Sequence, residues 1–198
     1  MGRKSARSLW SAKLAGQGVA SPESSDAAVE QHFAARREPF DGLVLGVDPS
    51  LRGTGLAVVS FTPGQQAKLV GSRTLKFKPA ISKTECLGEI ARAVTEILDA
   101  EPITCVALEQ TIYVQNFQTA QILGMARGAA IAVAAMRGLP IHEYAPLRIK
   151  QAVVGYGRAS KEQVAAMVRQ QLGLLADLPL DEADAAATAI CHALTGPR

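Results

Sequence analysis

A chain of 198 residues with 48% hydrophobic and 20% charged content is long enough for one domain with a real core and has ordinary globular composition. It contains no uninterrupted run of the roughly 18 apolar residues that a membrane span needs, and Cys86, Cys105 and Cys191 are scattered without metal-ligand spacing, which fits the reduced thiols of a cytoplasmic protein. The net charge of +3 permits nucleic-acid binding without demanding it.

Residues 1–42 differ in texture from the rest. Arg3, Lys4, Arg7 and Lys13 occur early with no acid among them, and Trp10 and Phe33 stand isolated. This composition predicts a basic, disordered N-terminal arm, with a weak helix from Asp26 to Arg37. A dispensable extension and a DNA-touching arm are both open, and acid-poor basic N-termini also resemble organelle transit peptides. No apolar segment follows the basic residues as a secretory signal would require.

The folded domain is expected over residues 43–198. Leu43 to Val47 reads as a buried strand ending in Asp48, and Leu56 to Val59 as its antiparallel partner, with Pro49, Gly53 and Gly55 forming the turn. An acid at the end of a core strand costs desolvation energy unless a cation or hydrogen bonds compensate. Asp48 therefore either opens an Asx-type turn or ligates a metal. Lys68 to Lys76 adds a third strand. The capping box Ser82-Lys83-Thr84-Glu85 opens a helix ending before Pro102. Ile103 to Leu108 is a continuous apolar strand that ends in a second acid, Glu109, and the strand–helix–strand connection favours parallel pairing.

A polar loop from Gln110 leads to a helix over residues 119–137, in which Gly124, Gly128 and Ala132 leave one flank nearly bare. That flank predicts close packing, within the core or across a dimer. Leu139 to Tyr144 is a short strand, Pro146 starts a short helix, and Ser160-Lys161-Glu162-Gln163 caps another. The last helix begins at Leu180. Acids in a first turn suit the helix dipole, yet Asp181 and Asp184 at i, i+3 share one side, a repulsion that a shared cation would remove. Glu182 should point away from them into solvent. His142 and His192 read as structural, with His192 also placed to stand behind Asp184.

Gly46-Val47-Asp48-Pro49-Ser50, Ala107-Leu108-Glu109-Gln110, Leu123 to Gly128, Lys150 to Gly155 with Lys161, and Asp181-Glu182-Ala183-Asp184 resemble, in order and spacing, the RuvC family of Holliday-junction resolvases. The resemblance covers residues 43–193. It implies an α/β, RNase H-like fold with a mixed five-stranded sheet flanked by helices. It further implies a homodimeric endonuclease that resolves four-way junctions by paired symmetric nicks in recombination and repair, with a branch-migration helicase complex as a further partner.

By the same resemblance, two Mg²⁺ per site, replaceable by Mn²⁺, would be held by Asp48, Glu109, Asp181 and Asp184. Lys161 would neutralise charge at the scissile phosphate, though it also suits a solvated first turn. Lys150, Arg158 and Arg148 form the expected basic rim, and Arg127 meets a phosphate, supports the dimer or packs on its helix. The family places an aromatic wedge shortly after the strand-end acid. Here Ile112 occupies that place and Tyr113 follows. The competing readings are a small kinase or ATPase of the actin-like superfamily, which also carries an Asp and a Gly/Thr-rich hairpin turn, and a junction-binding protein without catalysis.

Overall fold

The computed structural model describes residues 38–110 and 116–197. The expected helix from Asp26 to Arg37 and the wedge candidates Ile112 and Tyr113 lie outside these residues. A compact unit runs Pro39–Arg198.

Five strands and five helices make up the described fold: β1 (Gly42–Asp48), β2 (Gly53–Phe61), β3 (Lys68–Lys76), α1 (Lys83–Ala100), β4 (Ile103–Glu109), α2 (Phe117–Met136), β5 (Ile141–Tyr144), α3 (Pro146–Val154), α4 (Lys161–Gln171) and α5 (Leu180–Thr195). The sheet order is β3-β2-β1-β4-β5. β1, β2 and β3 pair antiparallel, whereas β4 and β5 continue the sheet in parallel with β1. This is the mixed five-stranded α/β sheet expected from the sequence.

Alternation along the central strands assigns the two faces. Leu45 and Val47 of β1, with Val106 and Leu108 of β4, pack against Cys86, Ile90 and Val94 of α1 and Ala126, Ala130 and Ala134 of α2. Val44, Cys105 and Ala107 face the opposite way, onto Ala185, Ala186 and Ala189 of α5, which Ile149 of α3 and Val164 and Val168 of α4 cover in turn. Asp48 and Glu109 are in phase with this second set. Both strand-end acids therefore emerge on the α5 side, beside one another across the parallel β1/β4 pair.

The capping boxes at Ser82 and Ser160 both form. One expectation is corrected. Gly53 and Gly55 lie inside β2 rather than in a turn, with Gly55 opposite Asp48, and neither has positive φ. Their missing side chains serve a different purpose. A Cβ on Gly55 would fall 1.9 Å from the carbonyl oxygen of Asp181, and one on Gly46 would fall 2.0 Å from that of Ala185. Glycine at both places lets the α5 backbone rest directly on the sheet. The alanines that follow on α5 keep the approach close over its length.

Candidate active site

Asp48, Glu109 and Asp184 open into one cleft of about 450 Å³, together with Lys150 and Lys161. Pro49, Gln110, Leu123, Pro146, Ile149 and Val164 complete its wall. Each charged group has a distinct structural origin: Asp48 and Glu109 from adjacent strand ends, Lys150 from α3, Lys161 from the first turn of α4, and Asp184 from α5. Asp181 stands outside the lining, with its carboxylate against Gly53 and its Oδ2 3.5 Å from where a Cβ there would lie. Its charge is nonetheless felt at Asp48 and Lys161.

Like charges in a half-buried site set the electrostatics. Burial foremost, then the negative charges of Asp184 and Glu109, push the Asp48 carboxyl up to about 7, against the opposing pull of Lys161. Glu109 is also raised, by burial and then by Asp184, while Lys161 and Lys150 act the other way. The Lys161 ammonium donates to Asp184 Oδ2 at 2.8 Å. That hydrogen bond is the main reason its own pKa rises. Such a cluster of oxygen ligands, desolvated and mutually repulsive, matches what a hard divalent cation needs: carboxylate oxygens with room left for water.

The other expected residues divide. Arg158 is exposed and outside the cleft lining. Arg148 donates through Nε and Nη2 to Thr195 at the end of α5, at 3.1 and 2.9 Å, so it is held away from the rim. Arg127 is largely buried and ion-paired with Glu143, which ties α2 to β5. Glu182 is turned to β3 and is not solvated, contrary to expectation. It is half-buried and accepts hydrogen bonds from Ser72 and Thr74.

His192 does not stand behind Asp184 either. It stacks on His142 with centroids 4.5 Å apart and its Nδ1 lies 2.7 Å from the Tyr144 hydroxyl. Cys105, His142 and His192 bring their donor atoms within 4.8 Å of one another, a separate group of possible ligands four residues back along β4 from Glu109. The apolar wall residues Leu123, Ile149 and Val164 were not singled out as site residues in the sequence, where an apolar side chain on a helix carries no chemical signal, although Leu123 opens one of the stretches that carry the family resemblance.

The fold and cleft define an RNase H-like α/β protein with an acidic, lysine-flanked site, the class to which metal-dependent nucleases of this architecture belong. The model of the family described as crossover junction endodeoxyribonuclease RuvC matches residues 44–192. The chain belongs to that family. A RuvC of Halorhodospira halophila is 44% identical over 150 residues, covering 76% of this chain and 89% of the relative, and one of Bordetella parapertussis is 44% identical over 154 residues, covering 78% and 84%. Among solved structures, Thermus thermophilus RuvC in complex with a Holliday junction substrate superposes with a TM-score of 0.73 at 36% identity, covering 77% of this chain and 93% of that one. The yeast mitochondrial Holliday junction resolvase Ydc2, 11% identical with a TM-score of 0.58 over 83% and 82% of the two chains, shares the fold. These matches support neither an actin-like kinase nor a binder without catalysis.

Proposed function

We propose that this Holliday-junction resolvase cuts by two-cation phosphodiester hydrolysis in the Asp48 cleft. The convergence of Asp48, Glu109 and Asp184 beside two lysines carries the reading. Asp48, the most strongly perturbed of them, would be shared between two Mg²⁺ ions, with Glu109 completing one site and Asp184 with Asp181 the other. Bound there, the cations would activate a water and stabilise the leaving oxygen, and Mn²⁺ would serve in their place.

The residues of the chain have their own tasks. The carboxylates hold the cations without closing the cleft. Lys161 counters the negative charge of the cluster and, released from Asp184, is placed to meet a phosphate. Lys150 extends that positive edge along the backbone, with Arg158 further out. Leu123, Ile149 and Val164 keep the inner wall dry, where charge interactions are strongest. Arg127, paired with Glu143, supports α2 instead of binding DNA.

The homodimer has its candidate contact on α2. Gly124, Gly128 and Ala132 are exposed, and a Cβ on either glycine would meet open space, so the close packing they suggest is not satisfied among the described residues. α2 is long and apolar enough to cross a membrane by length and composition alone, but its Arg127 pairs with β5. An exposed apolar helix on a DNA enzyme suits a second copy better, and two sites related by a two-fold axis would nick opposing strands. The junction wedge falls to Ile112 or Tyr113. The domain is taken as the unit Pro39–Arg198, a few residues ahead of the expected boundary at 43, with the residues before it as an appended arm. The enzyme is assigned to the cytoplasm, with a branch-migration helicase complex as a further partner.

The test is cleavage of a fluorescent four-way junction with Mg²⁺. Asp48→Asn should abolish cleavage and leave junction binding intact. Binding without any cleavage by the unaltered chain, or Mg²⁺-dependent ATP hydrolysis in its place, overturns the proposal.

A further inference from the structure

Among the acids of α5, Glu182 has no part in the cleft, yet it is held more firmly than a surface carboxylate needs to be. Its Oε2 accepts from the Ser72 hydroxyl at 2.6 Å and its Oε1 from the Thr74 hydroxyl at 3.1 Å. Ser72 and Thr74 are two apart on β3 and so share a face. They lie opposite Ala57 and Gly55 of β2, and Gly55 is the residue on which the Asp181 carbonyl rests. The first turn of α5 is therefore fixed at two places across neighbouring strands, by main-chain contact at β2 and by a two-hydroxyl clamp at β3. Its N-cap, Pro179, provides no side-chain cap hydrogen bond.

Rotation about the helix axis is the motion that this clamp opposes. Residues 181 and 182 are separated by about 100° around an α-helix, so drawing Glu182 toward β3 sets where Asp181 and Asp184 point. We infer that Glu182 is a positioning residue: clamped by Ser72 and Thr74, it fixes the azimuth of α5 and thereby presents Asp181 and Asp184 toward Asp48 for cation binding. The inference rests on the proposed role of those carboxylates as cation ligands. It also accounts for a second acid beside Asp181 in the first turn of α5, since its charge is taken up by the two hydroxyls of β3.

Mn²⁺ binding to the full chain without DNA, followed by the loss of free-ion electron paramagnetic resonance signal, tests this directly. Residues that orient ligands change metal affinity by about 10–100-fold. Glu182→Ala should weaken Mn²⁺ binding at least about tenfold, and Ser72→Ala/Thr74→Val should do the same without touching an acid. Combining all three should add little, because one device is removed by either route. Glu182→Gln keeps an acceptor for one hydroxyl and a donor for the other, and should stay within about threefold of the parent. Circular dichroism checks folding, and if Glu182→Ala fails to fold, the hydroxyl pair decides. Unchanged Mn²⁺ affinity in the folded hydroxyl variant, or additive losses, overturns the inference. Asp48→Asn is the control: if it leaves Mn²⁺ affinity and cleavage intact, the cation-site reading itself has failed, whatever Glu182 does.

Discussion

The carbonyl of Asp181 occupies the space where a side chain on Gly55 would be. With only 1.9 Å between that oxygen and a Cβ, Gly55→Ala cannot be accommodated unless α5 moves off the sheet. Overpacking of this kind typically costs about 1–3 kcal/mol. The expected result is a loss of that size in urea denaturation, with cleavage falling at least about tenfold, since Asp181 and Asp184 travel with the helix. Gly71→Ala on β3, whose added Cβ meets open space, is the matched control and should change stability by less than about 0.5 kcal/mol.

The raised pKa of Asp48 makes metal-free stability depend on pH in a defined direction. The group moves from 3.8 to about 7 on folding, so between those values the folded chain holds a proton that the unfolded chain has released. Stability in EDTA should therefore fall as pH rises through that window and level off above about 7, by on the order of 2–4 kcal/mol in total. Bound at the proposed cation site, Mg²⁺ would offset the same repulsion and should raise the melting temperature more at pH 8 than at pH 5. Asp48→Asn should be more stable than the parent in EDTA at pH 8, an example of stability given up for a site. A melting temperature in EDTA that rises from pH 5 to pH 8 would count against this.

Much of this was legible in the sequence because strand and helix signals coincided with chemistry. Asp48 and Glu109 ended apolar runs, Asp181 and Asp184 shared a helix face, and the capping boxes at Ser82 and Ser160 announced their helices. The gaps concern relations between distant segments. Gly53 and Gly55 read as turn formers because nothing local reveals that α5 lies on them. Glu182 read as solvated because its partners on β3 are over a hundred positions away, and pairing register is not encoded in either segment alone. Arg127 was left open between a phosphate, the dimer and its own helix for the same reason, since its partner Glu143 comes from another element.

Lys161 joins the cleft through Asp184, and its removal should affect turnover more than binding. Lys161→Ala is expected to slow single-turnover cleavage by about 10²–10³-fold, the usual loss of one preorganised charge at a reacting centre. Junction affinity should change by less than about fivefold, since one phosphate contact among several is lost. Equal losses in affinity and rate would instead make Lys161 a binding residue.

Arg127 separates two roles by salt dependence. A phosphate ligand contributes about one unit to the slope of log affinity against log salt. A residue paired with Glu143 contributes nothing to that slope. Arg127→Met should leave the slope unchanged while costing about 1–3 kcal/mol of folding stability, because the side chain is largely buried and Glu143 is left without its partner. Glu143→Gln with Arg127→Met should recover part of the loss. A slope reduced by one would return Arg127 to the DNA interface.

Gly128 tests the α2 surface, because its position is open among the described residues and so can be filled without harming the protomer. Replacing a helical glycine should stabilise the helix by up to about 1 kcal/mol. Gly128→Leu is thus expected to keep or raise the melting temperature of the protomer. If α2 is where two copies meet, the same leucine fills the space that the bare flank leaves for its counterpart, and sedimentation should shift from dimer to monomer. Paired nicks on a junction should then become single, uncoordinated nicks, seen as nicked product that ligase cannot convert to two intact duplexes. A variant that remains dimeric and cuts in pairs would move the interface elsewhere on the protomer.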